Sequence, residues 1–196
     1  WAMEQKAGQS NWAEVNSLVR PGLIRLFTYQ LISRGASGIL YFRWRQPRIG
    51  CEKFYGAILS QHVEGNTRVL KEISQVGEEL KLLAPAIAGT RVVSNVCILY
   101  SHENEWDLGL PNQPSQFFKL QQHVQHFYSA LHGRNLQVDF ARPTEDLSKY
   151  KLVIAPSLHM LSAAEADCLK LYVQNGGTLV GTCNTGLVNQ HHIAPD

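Results

Sequence analysis

Apolar residues follow two rhythms along this chain. Short unbroken apolar runs suit buried strands, and stretches with an apolar residue every third or fourth position suit one-sided helices. Trp1-Ala2-Met3 opens the chain as a strand-like stretch that ends at a carboxylate, Glu4, and a polar loop follows from Gly8 to Ser17. Pro21 fits the first turn of a helix, where its missing N–H would have no partner anyway. Leu23, Leu26, Phe27, Gln30 and Leu31 give that helix one stripe, closed near Gly35. Gly38 to Phe42 reads as a second strand, and a second helix begins near Thr67. Its apolar positions, Val69, Ile73, Val76, Leu80 and Leu83, step by 4, 3, 4 and 3. Gly77 weakens it by about 1 kcal/mol relative to Ala, and Pro85 and Gly89 are expected to end it.

From about Thr90 the pattern changes. Val96 to Tyr100 is a continuous apolar strand, and Phe117, Leu120, Val124, Phe127, Tyr128 and Leu131 stripe a helix that stops near Gly133. Gln137 to Phe140 and Leu152 to Ala155 are two further strands, the second halted by Pro156. Ser162, with Glu165 three residues on, has the form of a capping box. The helix it starts carries Leu169, Leu171, Tyr172 and Val173, turns at Asn175-Gly176-Gly177, and is followed by the strand Thr178 to Gly181. Continuous apolar strands alternating with helices predict an open parallel sheet. No G-x-G-x-x-G opens a helix, so dinucleotide binding is not indicated.

The fold class is therefore α/β, in two parts, with a boundary near residue 88. Two strand–helix repeats cannot cover their own sheet. Residues 1–88 thus read as the C-terminal portion of a (β/α)8 barrel, and residues 89–196 as a second domain. In such barrels chemistry gathers at the carboxyl ends of strands. Glu4 falls there, as do Arg43, Trp44 and Arg45, with Glu52 a few residues on. On an extended backbone the two arginines would share one face and the indole would take the other.

Composition narrows the function. Of 196 residues 44% are hydrophobic, enough for a packed core, and a net charge of +2 is too weak for a nucleic-acid surface. No apolar run approaches the roughly 20 residues of a membrane helix. The start carries no signal-peptide pattern and no initiator Met, and Trp1 opens in mid-strand, so the chain reads as an internal piece of a longer protein. Cys51, Cys97, Cys168 and Cys183 form no C-x-x-C pair, which argues against zinc and for a reducing, cytoplasmic setting. Cys97 and Cys168 are expected on buried apolar faces. His123 and His126 stand three apart on a helix that offers no carboxylate beside them, so a solvated pair is the expectation rather than a metal site. Cys183 follows a strand as a nucleophile elbow does, but an elbow leads into a helix, which would separate it from His191 and His192.

Several spaced motifs carry a resemblance. Met3-Glu4-Gln5, Asn11-Trp12, Arg20-Pro21-Gly22, Tyr41-Phe42-Arg43-Trp44-Arg45-Gln46 and Glu52-Lys53-Phe54 resemble glycoside hydrolase family 42, the microbial β-galactosidases. Asp146-Leu147-Ser148, Tyr150 to Val153 and Gly176 to Val180 resemble that family's trimerisation domain, an amidotransferase-like (flavodoxin-like) α/β domain. The likeness covers essentially the whole chain. It implies the end of a TIM-barrel catalytic domain followed by a truncated trimerisation domain. It also implies retaining hydrolysis of terminal β-D-galactosyl residues, with Glu4 as the catalytic nucleophile and Trp12, Glu52 and Tyr55 lining the galactose subsite. Most members carry His where Tyr55 stands; a phenol still donates one hydrogen bond but cannot become cationic. The acid/base Glu and any structural metal of the family belong upstream. The resemblance thus implies no organic cofactor and no metal here, a β-galactoside as substrate, a homotrimer as the assembly, and neither nucleic acid nor membrane as partner. The isolated fragment is expected to be inactive.

Retaining hydrolysis needs two carboxyl groups about 5–5.5 Å apart, one attacking the anomeric carbon and one handling the leaving-group proton. An indole such as Trp12 offers a flat apolar surface to the C–H face of a sugar, and Glu52 can accept hydrogen bonds from adjacent hydroxyls. Arg43 or Arg45 would hold a neighbouring carboxylate ionised, or pair with it structurally. The alternative reading is a non-catalytic oligomerisation module built on the second domain.

Overall fold

The apolar runs become strands, and every ladder pairs in parallel. The computed structural model describes residues 1–62, 67–111 and 113–194. It divides into two units, Trp1–Val92 and Val93–Asp196.

In the first unit, strand β1 (Ala2–Lys6), helix α1 (Leu23–Ser33), strand β2 (Ile39–Phe42) and helix α2 (Arg68–Ile87) follow one another, with β1 beside β2. The register jumps between the pairs Ala2–Ile39 and Gln5–Tyr41. Met3 and Glu4 therefore face the single residue Leu40, which is the geometry of a β-bulge. The expected first strand stopped at Glu4; the ladder runs on to Lys6, so Glu4 lies inside the strand at its irregularity.

Helix α1 buries a different stripe from the expected one. Ile24 and Thr28 are its fully buried positions, and Leu26 is exposed. A count of apolar residues missed a polar contact. Thr28 Oγ1 donates to the Ile24 carbonyl at 2.9 Å, meets Tyr41 Oη at 2.7 Å and receives Gln5 Nε2 at 3.1 Å. A buried hydroxyl satisfied in this way can stand in a core.

Helix α2 starts where expected, with Thr67 Oγ1 accepting from the Leu70 N–H at 3.0 Å. It does not end at Pro85 but continues to Ile87, and the Ala88 N–H still reaches the Ala84 carbonyl at 2.9 Å. Proline removes one donor without forbidding the last residues of a helix. Arg25 and Tyr29 of α1 both reach Glu79 of α2, at 2.8 Å each, and tie the two helices.

The second unit holds β3 (Val96–Leu99), β4 (Val138–Ala141), β5 (Leu152–Ala155) and β6 (Thr178–Gly181) in the spatial order β4-β3-β5-β6. This second-first-third-fourth order is that of a flavodoxin-like sheet. Successive side chains alternate between two apolar clusters. Cys97, Leu99, Val153 and Ala155 pack with Leu169 and Tyr172 of helix α5 (Ala163–Gln174). Ile98, Val138 and Ile154 pack with Leu108 of helix α3 (His102–Leu108) and with Leu120 and Val124 of helix α4 (Leu120–His132).

The four strands lie within one residue of the expected runs. The Ser162–Glu165 capping box is complete in both directions. Helix α3 was not anticipated: seven residues of mostly polar sequence present no stripe, and its start is set by Ser101 Oγ accepting from the Asn104 N–H. Phe117 was placed on the α4 stripe but precedes the helix and is 94% exposed. Leu171 and Val173 of α5 are also exposed, because only positions 169 and 172 face the sheet. Cys168 is exposed rather than buried for the same reason, whereas Cys97 is fully enclosed. Gly177 is required where α5 turns into β6, since a Cβ there would lie 2.3 Å from the Tyr172 ring.

Candidate active site

The candidate residues of the first unit gather around one buried phenol. Tyr55 is 2% exposed, the largest fully buried side chain. Trp12 stacks on it at 5.1 Å between ring centroids with an interplanar angle of 26°, and Phe42 meets it edge-on at 5.3 Å. Burial raises the Tyr55 pKa first, and the negative charges of Glu4 and Glu52 raise it further. Both carboxylates thus act on the same hydroxyl, which stays protonated and able to donate a hydrogen bond.

Local structure explains why these groups meet. Gln5 is buried toward α1 through its bonds to Ile24 and Thr28. Adjacent strand residues point to opposite faces, so Glu4 takes the other face. The register irregularity falls at Met3–Glu4, and bulges of this kind can re-aim a side chain. The loop after β1 crosses the loop that holds Tyr55. Gly56 N–H donates to the Gln9 carbonyl at 2.8 Å, Gln9 Nε2 reaches the Phe54 carbonyl at 3.0 Å, and Asn11 Nδ2 reaches the Cys51 carbonyl at 2.7 Å. A Cβ on Gly8 or Gly56 would come within 2.7 or 2.5 Å of the other loop's backbone, so neither residue can carry a side chain at this approach.

The arginines behave differently from the expectation. β2 stops at Phe42, so the alternation that would have put Arg43 and Arg45 on one face does not continue. Arg43 pairs with Glu52 through Nη1, and Arg45 instead forms a backbone bridge with Leu59. Trp44 is exposed. Glu52 is held by the guanidinium while its side chain stays 42% exposed, with acceptor capacity to spare for a hydroxyl-rich ligand. The structure therefore brings Glu4, Glu52, Trp12 and Tyr55 into one neighbourhood. It adds Gln9, a lone loop amide with no periodic signal, beside Phe42 and Asn11 of the family motifs.

The other candidates separate. Cys183 is exposed and enters a run of turns, not a helix; its sulfur lies 3.7 Å from Ser157 Oγ. His192 turns instead to Asp107. His123 Nε2 sits 3.0 Å from Thr182 Oγ1 between the rings of Phe118 and Phe127, and desolvation together with His126 lowers its pKa.

The first unit thus presents a parallel strand–helix pair with carboxylates and an indole near a buried phenol. Comparison with known proteins gives its family. Residues 1–83 match the family described as beta-galactosidase, and residues 94–196 match the beta-galactosidase trimerisation domain. The chain belongs to glycoside hydrolase family 42. It is similar to the beta-galactosidase BgaB of Geobacillus sp. (strain Y412MC61), 41% identical over 96% of this chain and 28% of that protein. It is also similar to BgaA of Planococcus sp. (strain 'SOS Orange'), 42% identical over 97% of this chain and 28% of the relative. The solved beta-galactosidase of Bacillus circulans sp. alkalophilus superposes with a TM-score of 0.91 at 38% identity, over 98% of this chain and 28% of that one. That of the psychrophilic Marinomonas ef1 gives 0.89 at 27% identity, over 100% of this chain and 30% of that one. The chain thus spans somewhat over a quarter of the length of the relatives it matches. Among the described residues no helix is long and apolar enough to cross a membrane.

Proposed function

We propose that this chain is the segment of a retaining β-galactosidase that supplies the nucleophile and one wall of the galactose subsite. Residues 1–88 end the catalytic barrel, and residues 89–196 belong to the trimerisation domain. The observation that carries the reading is the Trp12 ring stacked on Tyr55, a buried phenol whose pKa the charges of Glu4 and Glu52 both raise. In this scheme the Glu4 carboxylate attacks the anomeric carbon and the leaving group departs as an alcohol, protonated by a second carboxylic acid elsewhere in the barrel. Water then attacks the galactosyl ester and releases Glu4 with retained configuration. Trp12 packs on the sugar's apolar face, Glu52 accepts from adjacent hydroxyls, and Tyr55 donates to one sugar oxygen.

The segment alone lacks the proton donor and is inactive. The full enzyme assembles as a homotrimer through the second domain. Its unpaired cysteines fit a reducing, cytoplasmic setting. The test is covalent trapping. Full-length enzyme treated with a 2-deoxy-2-fluoro-galactoside is digested and sequenced by mass spectrometry. A fluorogalactosyl adduct on Glu4 is expected; an adduct on another carboxylate, or none with active enzyme, overturns the assignment.

A further inference from the structure

A helix and two loops of the second unit bring together residues that are far apart in sequence. Asp107 lies near the end of α3, His159 follows β5, and His192 lies in the turns after β6. One donor atom from each falls within 4.8 Å of the other two. Asp107 Oδ2 contacts His159 Nδ1, and Asp107 Oδ1 lies 2.8 Å from His192 Nε2. Asp107 and His159 are buried, whereas the His192 side chain is 53% exposed.

We propose that Asp107, His159 and His192 form a site for a divalent transition-metal ion of the zinc type, with a fourth position open to solvent beside His192. Two imidazoles and a carboxylate are a borderline donor set that suits zinc and its neighbours and does not suit magnesium or calcium. Three protein ligands with one position left open is the arrangement of zinc sites that bind a water or a small anion. A carboxylate taken out of water needs positive charge beside it, and a bound cation supplies that charge. The missing Cys-x-x-C pair excluded only the thiolate form of such a site.

The surroundings hold the three donors in place. Asn104 Oδ1 accepts from the Met160 N–H at 2.7 Å and its Nδ2 reaches the Met160 carbonyl, fixing the residue next to His159. The Val188 N–H donates to the His159 carbonyl at 3.2 Å, and the Leu161 N–H returns to Val188 at 2.9 Å, so the loop bearing His192 is stitched to the loop bearing His159. Asn189 Oδ1 accepts from the N–H groups of His191 and Ile193 at 2.9 and 3.1 Å. His192 itself adopts φ +61°, a left-handed conformation uncommon for a residue with a side chain. The cluster also lies at the carboxyl edge of the sheet, on the loops after β3 and β5. There the chain has placed β4 on one side of β3 and continues on the other, and open α/β sheets bind their ligands at such a reversal.

The test uses full-length enzyme stripped with a chelator and titrated with Zn2+ by calorimetry, and with Co2+ as a visible-absorption probe. The His192→Ala variant is expected to bind one equivalent fewer than the parent and to lose the absorption bands of a four-coordinate Co2+ site. A site elsewhere in the longer chain cancels in this difference. His192 is largely exposed, so the variant should melt at the parent's temperature when metal-free. Asp107→Asn, close in shape, should lose the same equivalent. Equal stoichiometry and equal Co2+ spectra in the parent and the well-folded His192→Ala variant would overturn the site and leave a hydrogen-bonded His–Asp–His cluster only.

Discussion

The two units hold their side chains by different means. In Val93–Asp196 a four-stranded sheet is covered on both faces, and two apolar clusters fix its strands. In Trp1–Val92 the loops that bear the candidate sugar-binding groups are held by amide-to-carbonyl ties, a backbone crossing and one ion pair, and Trp12 is 70% exposed. The difference teaches that stability and chemistry are separable here. In the proposed sugar subsite Trp12 and Glu52 stay at the surface, while Tyr55, on which the indole stacks, is enclosed. Groups that meet only each other are enclosed.

Substitutions can break this contrast. Glu4→Gln in the full enzyme should produce the largest effect, a fall in kcat on the order of 10⁴-fold or more, since losing the proposed nucleophile removes the proposed route. Its melting temperature should stay at the parent's, because Glu4 is exposed on β1. Near-normal turnover would remove Glu4 from the mechanism.

A paired comparison sharpens the contrast further. Ile98→Ala leaves a cavity in the second unit, where Ile98 is fully buried, and should cost about 2–5 kcal/mol in denaturant unfolding with KM unchanged. Trp12→Ala should do the reverse, leaving unfolding near the parent's and raising KM roughly tenfold, equivalent to about 1.4 kcal/mol of lost sugar contact. If both variants moved the same observable, the division of labour would be wrong.

The smallest effect concerns pH. Burial lowers the His123 pKa below the ordinary histidine value of about 6.5. The unfolded chain therefore binds more protons than the folded one just below that value, and stability falls as the pH drops through 6.5 toward the folded pKa. His123→Gln should flatten this part of the stability profile when melting temperatures are compared between about pH 7 and about pH 5.

Strands were the most legible elements. Val96 to Leu99 and Leu152 to Ala155 are buried on both faces, so unbroken apolar runs announced them. Helix faces were less legible where polar contacts replaced apolar ones, as with Thr28 under Gln5 and Tyr41. Helix α3 was invisible because its placement depends on a cap and on Asn104, which spans to Met160. In the candidate sugar site, Glu4 and Glu52 stood out at or beyond the ends of predicted strands, whereas Trp12 and Tyr55 were marked by a family resemblance alone. The Asp107–His159–His192 cluster was beyond reach for a simple reason: 52 residues separate its first two members, and only the sheet topology closes that gap.

The crossing of Gly8 over Gly56 has a consequence for directed evolution of the enzyme. Each residue blocks a Cβ on the other, so single mutants at either position push apart the two segments that carry Trp12 and Tyr55. A library that randomises the proposed sugar subsite should keep both glycines fixed and vary Glu52, Phe54 and the positions flanking Trp12. Diversity placed on the pivot itself would yield clones that fail for a reason unrelated to recognition.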